Sequence, residues 1–151
     1  FERMMQLPQT DGEPVNQLTE IIGRLKDPNV RALNKFELSV FDPLRDVDGS
    51  PYGGQCLSFA SFKLIGDGDE RRLGLTAMYR NHYYIEKLLG NLIGLGRLLQ
   101  FVAEESGIAM GPLTILSTHA TIDVKNGKWN RSEIGTLLAS CDQANALAAS
   151  A

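Results

Sequence analysis

Two side chains near the middle of the chain could together do nucleophilic chemistry: the thiol of Cys56 and the guanidinium of Arg80. A cysteine attacks as its thiolate, and a nearby cation favours the thiolate over the thiol. A hairpin turn between the two residues would bring the chain from Cys56 back near Arg80, at the end of the next strand. The alternative is that Cys56 is a small buried hydrophobe and Arg80 an ordinary surface charge.

The segment with the densest polar and aromatic side chains is 79–84, which reads Tyr-Arg-Asn-His-Tyr-Tyr. It joins a predicted strand to a predicted long helix, and such connections commonly carry binding residues. Taken alone, His82 in this segment and His119 further along are expected to be structural histidines more often than bases. The chain has two Cys and two His at spacings that match no zinc motif, so we expect no metal.

Alternating helices and strands must position these residues. Apolar side chains at helical spacing predict helices, and short runs rich in β-branched and aromatic residues predict strands. The expected elements are a helix at 15–25, a strand at 36–41, paired strands at 56–65 and 73–79, a long helix at 88–106, a short buried strand at 112–118 and a last helix at 132–147. A loop is expected at 45–54 and a turn at 126–127. This order predicts an α/β or α+β fold, with a mixed sheet covered by helices.

The long helix is the best-defined element of the sequence. Its apolar residues Leu92, Leu95, Leu98, Leu99 and Val102 fall on one face. Gly107 stands where a left-handed helix C-cap belongs. We therefore expect this helix to pack on the sheet and to end at Ser106.

The composition narrows the class of protein. Of the 151 residues 43% are hydrophobic, which suits one core and a single domain over 1–151, and the first residue is Phe rather than Met, as in a piece of a longer protein. The net charge of −3 argues against nucleic acid as a partner. Broken apolar runs leave no transmembrane span, so no membrane partner is expected. Two distant cysteines favour a reducing cytoplasm over a disulfide framework.

Several segments between about Asp11 and Asp123 match the order and spacing of the motifs of one known family. They are Asp11-Gly12 with Gln17, Lys26 to Arg31 against "DPxSRR", Gln55-Cys56-Leu57 against "PCL", Leu75 to His82 against "LTAxFRSHD", Asn91 with the helix to Glu105, and Leu113 to Ser117 with Ala120 to Asp123 against "LTIIS…AHIY". On these segments the chain resembles thymidylate synthase, particularly its shorter archaeal-like relatives, and the related pyrimidine nucleotide hydroxymethylases, as a divergent member or a fragment would.

The resemblance implies a reaction and the residues that perform it. Cys56 would add to C6 of a uracil ring, so that C5 can attack a one-carbon unit carried by methylenetetrahydrofolate. Arg80 would hold the nucleotide phosphate with Asn81 beside it, and Arg31 would reach the phosphate site of the neighbouring subunit. An arginine suits phosphate because its guanidinium binds in a bidentate manner. Asn91 would read the uracil edge, since an amide donates and accepts at once.

At other positions that match the family's motifs, this chain has a different type of residue from the family. Tyr83 stands where the family has the carboxylate that contacts the folate, which makes it the candidate cofactor-binding residue. Thr121 and Asp123 stand where the family has the His and Tyr that contact the sugar, and Asp123 is the candidate sugar contact here. Gln55 replaces the proline before the nucleophile. These changes leave open a second reading, a non-catalytic nucleotide-binding or dimerisation module on the same fold within a larger protein, and a third, an unrelated fold.

The resemblance also implies a homodimer that forms through the face of the sheet opposite the long helix. Phe36, Leu38, Phe59 and Ser61 could supply that face. The alternative for the same residues is an ordinary core.

Overall fold

The computed structural model describes residues 2–6, 12–30, 32, 34–47, 55–122 and 129–149. Two predicted site residues, Arg31 and Asp123, lie outside the described residues. So do the predicted turn at 126–127 and residues 48–54 of the predicted loop.

The order of the main helices and strands follows the prediction, with short additional elements between them. The elements are α1 (Glu2–Met5), α2 (Gln17–Lys26), β1 (Glu37–Ser39), α3 (Pro43–Asp46), β2 (Leu57–Ile65), β3 (Arg72–Tyr79), β4 (His82–Tyr83), α4 (Tyr84–Ser106), β5 (Ala109–Ser117), β6 (Ala120–Thr121) and α5 (Arg131–Ala149). The first residues of the predicted loop at 45–54 are helical instead, because α3 runs to Asp46.

A mixed sheet with strand order β1-β2-β3-β5 forms the centre of the fold. The pairs β1/β2 and β2/β3 are antiparallel, and β3/β5 is parallel, with α4 in the connection between β3 and β5. The hairpin between β2 and β3 turns through Gly66 and Gly68, whose φ angles of 83° and 55° are strained for other residue types. The mixed sheet and its long helix confirm the predicted α/β fold class, and they are compatible with a thymidylate synthase-like fold.

The long helix α4 packs on one face of this sheet. It begins at Tyr84, four residues before the predicted start, and ends at Ser106 as predicted. Gly107 caps it in the left-handed conformation with φ 71° and ψ 22°, and its N–H bonds carbonyls of the last turn. On this apolar face Leu92 is 38% exposed, and the buried residues of α4 begin at Leu95.

The core lies between the sheet, α2 and α4. Its fully buried large residues are Phe36, Leu38, Phe62, Leu73, Leu75, Leu99 and Val102. Phe36 and Leu38 are therefore core residues and do not supply the opposite face of the sheet. Burial alternates along β1 and β2, because successive side chains point to opposite faces of the sheet. Leu38 pairs with buried Ala60, whereas the next residue, Ser39, pairs with half-buried Phe59.

The strand predicted as buried, β5, is buried on one face alone. Leu113 and Ile115 pack against the core, but Met110 and Leu116 are more than half exposed. Leu116 lies on the face opposite α4, whereas Met110 is in register with buried Leu73 and lines a cavity at the end of α4. Pro112 fits the position of β5 as the last strand of the sheet, because a proline has no N–H to donate to a further strand.

The opposite face of the sheet carries a row of apolar side chains. By register Phe59 pairs with Met78, and Met78 pairs with Leu116. The next row is polar, with Ser61, Thr76 and Thr114 in register. Within the described ranges, no helix combines the length and the apolar character needed to cross a lipid bilayer.

Candidate functional site

A cavity of about 330 Å³ lies where the start of β2 meets the end of β3 and the first turns of α4. This volume is at the lower end of the range for small-molecule sites. Its lining residues are Gln55, Cys56, Leu57, Tyr79, Asn81, His82, Tyr83, Lys87 and Asn91. The antiparallel register places Leu57 opposite Tyr79, and the chain then runs directly through β4 into α4. Residues from four elements, β2, β3, β4 and α4, therefore meet at this point.

Cys56 and Arg80 are neighbours, as the predicted hairpin requires. The backbone N–H of Arg80 donates to the carbonyl oxygen of Cys56 at 2.9 Å. The Arg80 side chain turns along the same strand end, where its Nε donates to the carbonyl of Gln55 at 3.1 Å. Cys56 is exposed and lines the cavity, whereas Arg80 is held beside the cavity and does not line it.

The charges around this strand end affect two neighbouring groups. The hydrogen bond from Arg3 is the largest cause that lowers the pKa of Asp46, and the charge of Arg80 adds to it. Burial raises the pKa of Tyr79, and a negative charge on Cys56 adds to that shift. Tyr79 lines the cavity, so its shift connects Cys56 with the cavity, whereas Asp46 lies on α3 outside the cavity lining.

His82 forms the centre of a hydrogen-bonded group at the base of the cavity. The ring is 1% exposed, with Nδ1 at 2.9 Å from the Ser117 hydroxyl and Nε2 at 3.0 Å from the Asn91 amide nitrogen. It stacks on Tyr79 at 4.5 Å between ring centroids, and the edge of Tyr84 approaches it at 5.1 Å. Burial lowers the pKa of His82, which favours the neutral ring. With both nitrogens paired, His82 matches the expected structural histidine.

Two buried oxygens near the cavity lack a partner among the described residues. They are Oδ1 of Asn81, which lines the cavity, and Oγ1 of Thr121. Thr121 is opposite Tyr83 in the short parallel pair of β4 and β6. A buried acceptor without a partner costs about 1–3 kcal/mol, so a ligand hydroxyl or N–H at this point would be favoured.

The cavity therefore brings together four of the seven predicted site residues: Cys56, Asn81, Tyr83 and Asn91. Arg80 lies beside them, and Arg31 and Asp123 are outside the described residues. What each of these side chains does stays a prediction.

Residues around the cavity that the predicted site lacked include Lys87, Tyr79 and Ser117. Lys87 precedes Asn91 by four residues on α4, so both lie on one face of the helix. If the long helix had been predicted to begin at 84 rather than 88, Lys87 and Asn91 would have been recognised as neighbours on one helix face. For Ser117 the sequence carries no signal, because it is 35 residues from its partner His82 and on another strand.

The cavity lining does not fit methylenetetrahydrofolate in the manner that the resemblance implies. Among the described residues no Asp or Glu lines the cavity, and Tyr83 presents a phenol where a carboxylate is expected. A phenol cannot supply the two acceptor oxygens of a carboxylate. For the described part of the chain, no group of three or more His, Cys, Asp and Glu is close enough to hold a metal ion.

Comparison with known proteins agrees with the resemblance at a coarse level. No family model matches the chain. The chain is 35% identical over 114 residues to a protein of Methanothermobacter thermautotrophicus named "Putative thymidylate synthase", and the match covers 76% of this chain and 48% of that protein. Proteins of the same name match from Methanococcoides burtonii (34% identity, 74% of this chain, 48% of the relative) and Methanopyrus kandleri (32%, 72% and 48%).

The chain thus spans about half the length of the curated relatives it matches. Their shared name supports similarity to thymidylate synthases, and it does not extend to the chemistry of individual residues in this chain.

Proposed function

We propose that this chain carries the pyrimidine-activating site of a thymidylate synthase-like enzyme, which transfers a one-carbon group to C5 of a deoxyuridylate-like nucleotide. The observation that carries the proposal is the convergence of Cys56, Asn81 and Asn91 on one cavity from three different parts of the chain. The names of the archaeal relatives support the same class of reaction.

The proposed chemistry begins at the sulfur of Cys56. Its thiolate adds to C6 of the pyrimidine, and the electron pair of the C5–C6 double bond moves towards C5 and O4 as an enolate. C5 then takes up an electrophile, which is a one-carbon unit in the full reaction or a proton from water in an exchange reaction. Loss of the original C5 proton restores the double bond and expels the sulfur as thiolate.

The neighbouring side chains would bind and orient the nucleotide. The Asn91 amide can donate to O4 and accept from N3–H, a pair of contacts that suits uracil. Arg80 would hold the phosphate and favour the thiolate of Cys56. The unpartnered Oδ1 of Asn81 is an acceptor for a hydroxyl or N–H of the bound nucleotide.

A homodimer is part of the proposal and is supported by the resemblance and by the sheet. The apolar row of Phe59, Met78 and Leu116 lies on the face opposite α4, where the family forms its dimer. In such a dimer Arg31 would contribute to the phosphate site of the partner subunit.

The test of the proposal is substitution of the nucleophile. We expect Cys56→Ala in the full protein to abolish tritium release from deoxyuridylate labelled at C5, because no thiolate is left to add to C6. Binding of the nucleotide should persist, since the cavity and the Asn91 amide are unchanged. The matched control is Cys141→Ala, the other exposed cysteine of the described residues, which lies on α5 and should leave the release of tritium unchanged.

The same experiment separates catalysis from binding alone. The lack of a carboxylate among the described lining residues favours a second candidate, a nucleotide-binding module without turnover. If the unsubstituted protein binds deoxyuridylate but neither releases tritium nor forms an adduct of Cys56 with 5-fluoro-deoxyuridylate, the catalytic proposal is wrong and the binding module is supported.

A further inference from the structure

We propose that Lys87 makes the α4 side of the cavity a subsite for an anionic group, a carboxylate or a phosphate, of a second ligand that lies beside the pyrimidine. The role of that ligand as a co-substrate rests on the proposed function. The subsite itself is a property of the cavity wall, so it can be tested without a nucleotide.

The wall that α4 presents to the cavity is formed by residues at helical spacing. Tyr83, Lys87 and Asn91 follow one another at intervals of four residues, and all three line the cavity. This spacing places side chains on one face of a helix. A ligand in the cavity therefore meets a phenol, an ammonium and an amide along one line, which runs from the N-cap of α4 into its second turn.

The charge of this wall comes from Lys87. Among the described residues, Lys87 is the one charged side chain of the lining, which includes no Asp, Glu or Arg, and burial lowers the pKa of His82 and so favours its neutral ring. No described residue forms a hydrogen bond or an ion pair with the Lys87 ammonium. The cavity thus has a positive charge that no carboxylate of the described lining offsets, and an anionic ligand group would do so.

The start of α4 adds to the positive character of the wall. The N-cap residue Tyr83 makes no side-chain hydrogen bond to the N–H groups of the first turn, and the helix macrodipole is positive at this end. The acidic residue of that turn, Glu86, is not among the lining residues. Tyr83 is 36% exposed, and its phenol O–H can donate to the same anion.

The position of Lys87 separates it from the proposed phosphate contact. Arg80 follows β3 and donates to the carbonyl of Gln55, so it lies at the strand end and outside the lining. Lys87 is one helical turn from Asn91, the residue proposed for the base. A nucleotide carries its base and its phosphate at opposite ends of the sugar. With the phosphate at Arg80, the anion at Lys87 has to come from a second ligand next to the base.

Alkylation of Cys56 with anionic iodoacetate and neutral iodoacetamide measures the charge of the subsite. Both reagents react with the same thiolate, so the fraction of thiolate cancels from the ratio of their rates, and the ratio reports the local potential. We expect Lys87→Gln to lower the iodoacetate-to-iodoacetamide ratio by about threefold at low ionic strength, the effect of one charge across a few ångströms of water. Lys87→Arg should keep the ratio, and at about 1 M salt the variants should become alike.

Two controls belong to this measurement. Cys141, exposed on α5, is an internal reference whose ratio should not depend on Lys87. Arg97→Gln removes the same charge from a later turn of α4, at a residue that lines a different cavity between α4 and α2, and it should leave the ratio at Cys56 unchanged. A folded Lys87→Gln variant with the ratio of the unsubstituted protein would overturn the inference.

The source of the anion is tested with ligands. Inorganic phosphate should slow the alkylation of Cys56 by iodoacetamide, and this protection should be lost in Lys87→Gln but persist in Arg80→Ala. The opposite pattern would place the anion at Arg80 and overturn the inference. Lys87→Gln should leave the affinities for deoxyuridylate and deoxyuridine unchanged. Selective loss of affinity for deoxyuridylate would show that Lys87 binds the phosphate of the nucleotide itself, and the second ligand would then be wrong.

The outcomes distinguish this inference from the proposed function. If the protein releases tritium from deoxyuridylate but Lys87→Gln changes neither the alkylation ratio nor the protection by phosphate, the subsite is wrong and the proposed function stands. If the ratio and the protection depend on Lys87 but the protein binds no deoxyuridylate, the proposed function is wrong and the anion subsite stands.

Discussion

At the scale of single residues, the cavity has a potential nucleophile on one side and a hydrogen-bonding amide on the other. Cys56 comes from the start of β2 and Asn91 from the second turn of α4, and both line the same space. Arg80 is the cation beside this pair, with its Nε on the carbonyl of Gln55. This contact holds the guanidinium against Gln55, the residue immediately before the nucleophile, where an anionic group of a ligand could meet it.

Substitution of Arg80 should separate recognition of phosphate from recognition of the base. We expect Arg80→Ala to weaken binding of deoxyuridine monophosphate by about tenfold, since hydrogen bonds to charged groups contribute about 1.5 kcal/mol or more. Binding of the uncharged nucleoside deoxyuridine should change little. Calorimetry with both ligands measures the difference.

Arg71→Ala is the matched control, because Arg71 is exposed at the opposite end of the hairpin. It should leave both affinities unchanged. Equal loss of affinity for the nucleotide and the nucleoside in Arg80→Ala would contradict a phosphate role for this residue.

At the scale of elements, one buried side chain joins α2 to β1. Gln17, 8% exposed, donates from Nε2 to the carbonyl of Ser39 at 2.9 Å and accepts the N–H of Ser39 on Oε1 at 2.9 Å. It also donates to the carbonyl of Arg3 in α1 at 3.1 Å. The amide acts towards β1 as another strand would, and so satisfies the backbone at this edge of the sheet.

Removal of this amide should destabilise the fold. We expect Gln17→Ala to lower the free energy of unfolding by ~2 kcal/mol or more, because the N–H and the carbonyl of Ser39 lose their partner in a part-buried position. Urea denaturation followed by circular dichroism measures the change. Gln100→Ala, at an exposed glutamine on α4, is the control and should change stability by less than about 0.5 kcal/mol. A Gln17→Ala variant as stable as this control would show that the amide is not needed.

At the scale of the whole molecule, the two faces of the sheet differ in what covers them. One face is buried under α4 and α2, and it holds the fully buried residues of the core. The other carries the row of Phe59, Met78 and Leu116, of which Leu116 is 54% exposed. A partly exposed apolar row on this face is consistent with the homodimer that we propose.

A charge in this row should weaken the proposed dimer without harming the core. We expect the unsubstituted protein to sediment as a dimer and Leu116→Asp to shift it towards monomer, because a carboxylate would be buried without a partner in the interface. Leu89→Asp, at a 70% exposed position of α4, is the control and should leave the dimer intact. A protein that sediments as a monomer at micromolar concentration before any substitution would contradict the dimer and the role of Arg31 in it.

Local patterns were sufficient to predict most of the fold. The stop of α2 before Pro28, the glycine cap of α4 at Gly107 and the hairpin between β2 and β3 each depend on a few neighbouring residues. The structure differs from the prediction at the start of α4, at residues 45–46 and in burial. Leu92 and the outward face of β5 have the apolar character of core residues, but their exposure depends on where the sheet and the packed part of α4 end.

The sequence by itself determined the main helices and strands, their order and the pairing that sets Arg80 beside Cys56, because caps, turns and periodicity act over a few residues. Only the tertiary structure decided the surroundings of the cavity. The contact of His82 with Ser117 joins residues 35 positions apart, across the parallel pairing of β3 and β5 that α4 makes possible. No local pattern encodes such a contact, since it exists only when the crossover helix has packed and brought the two strands together.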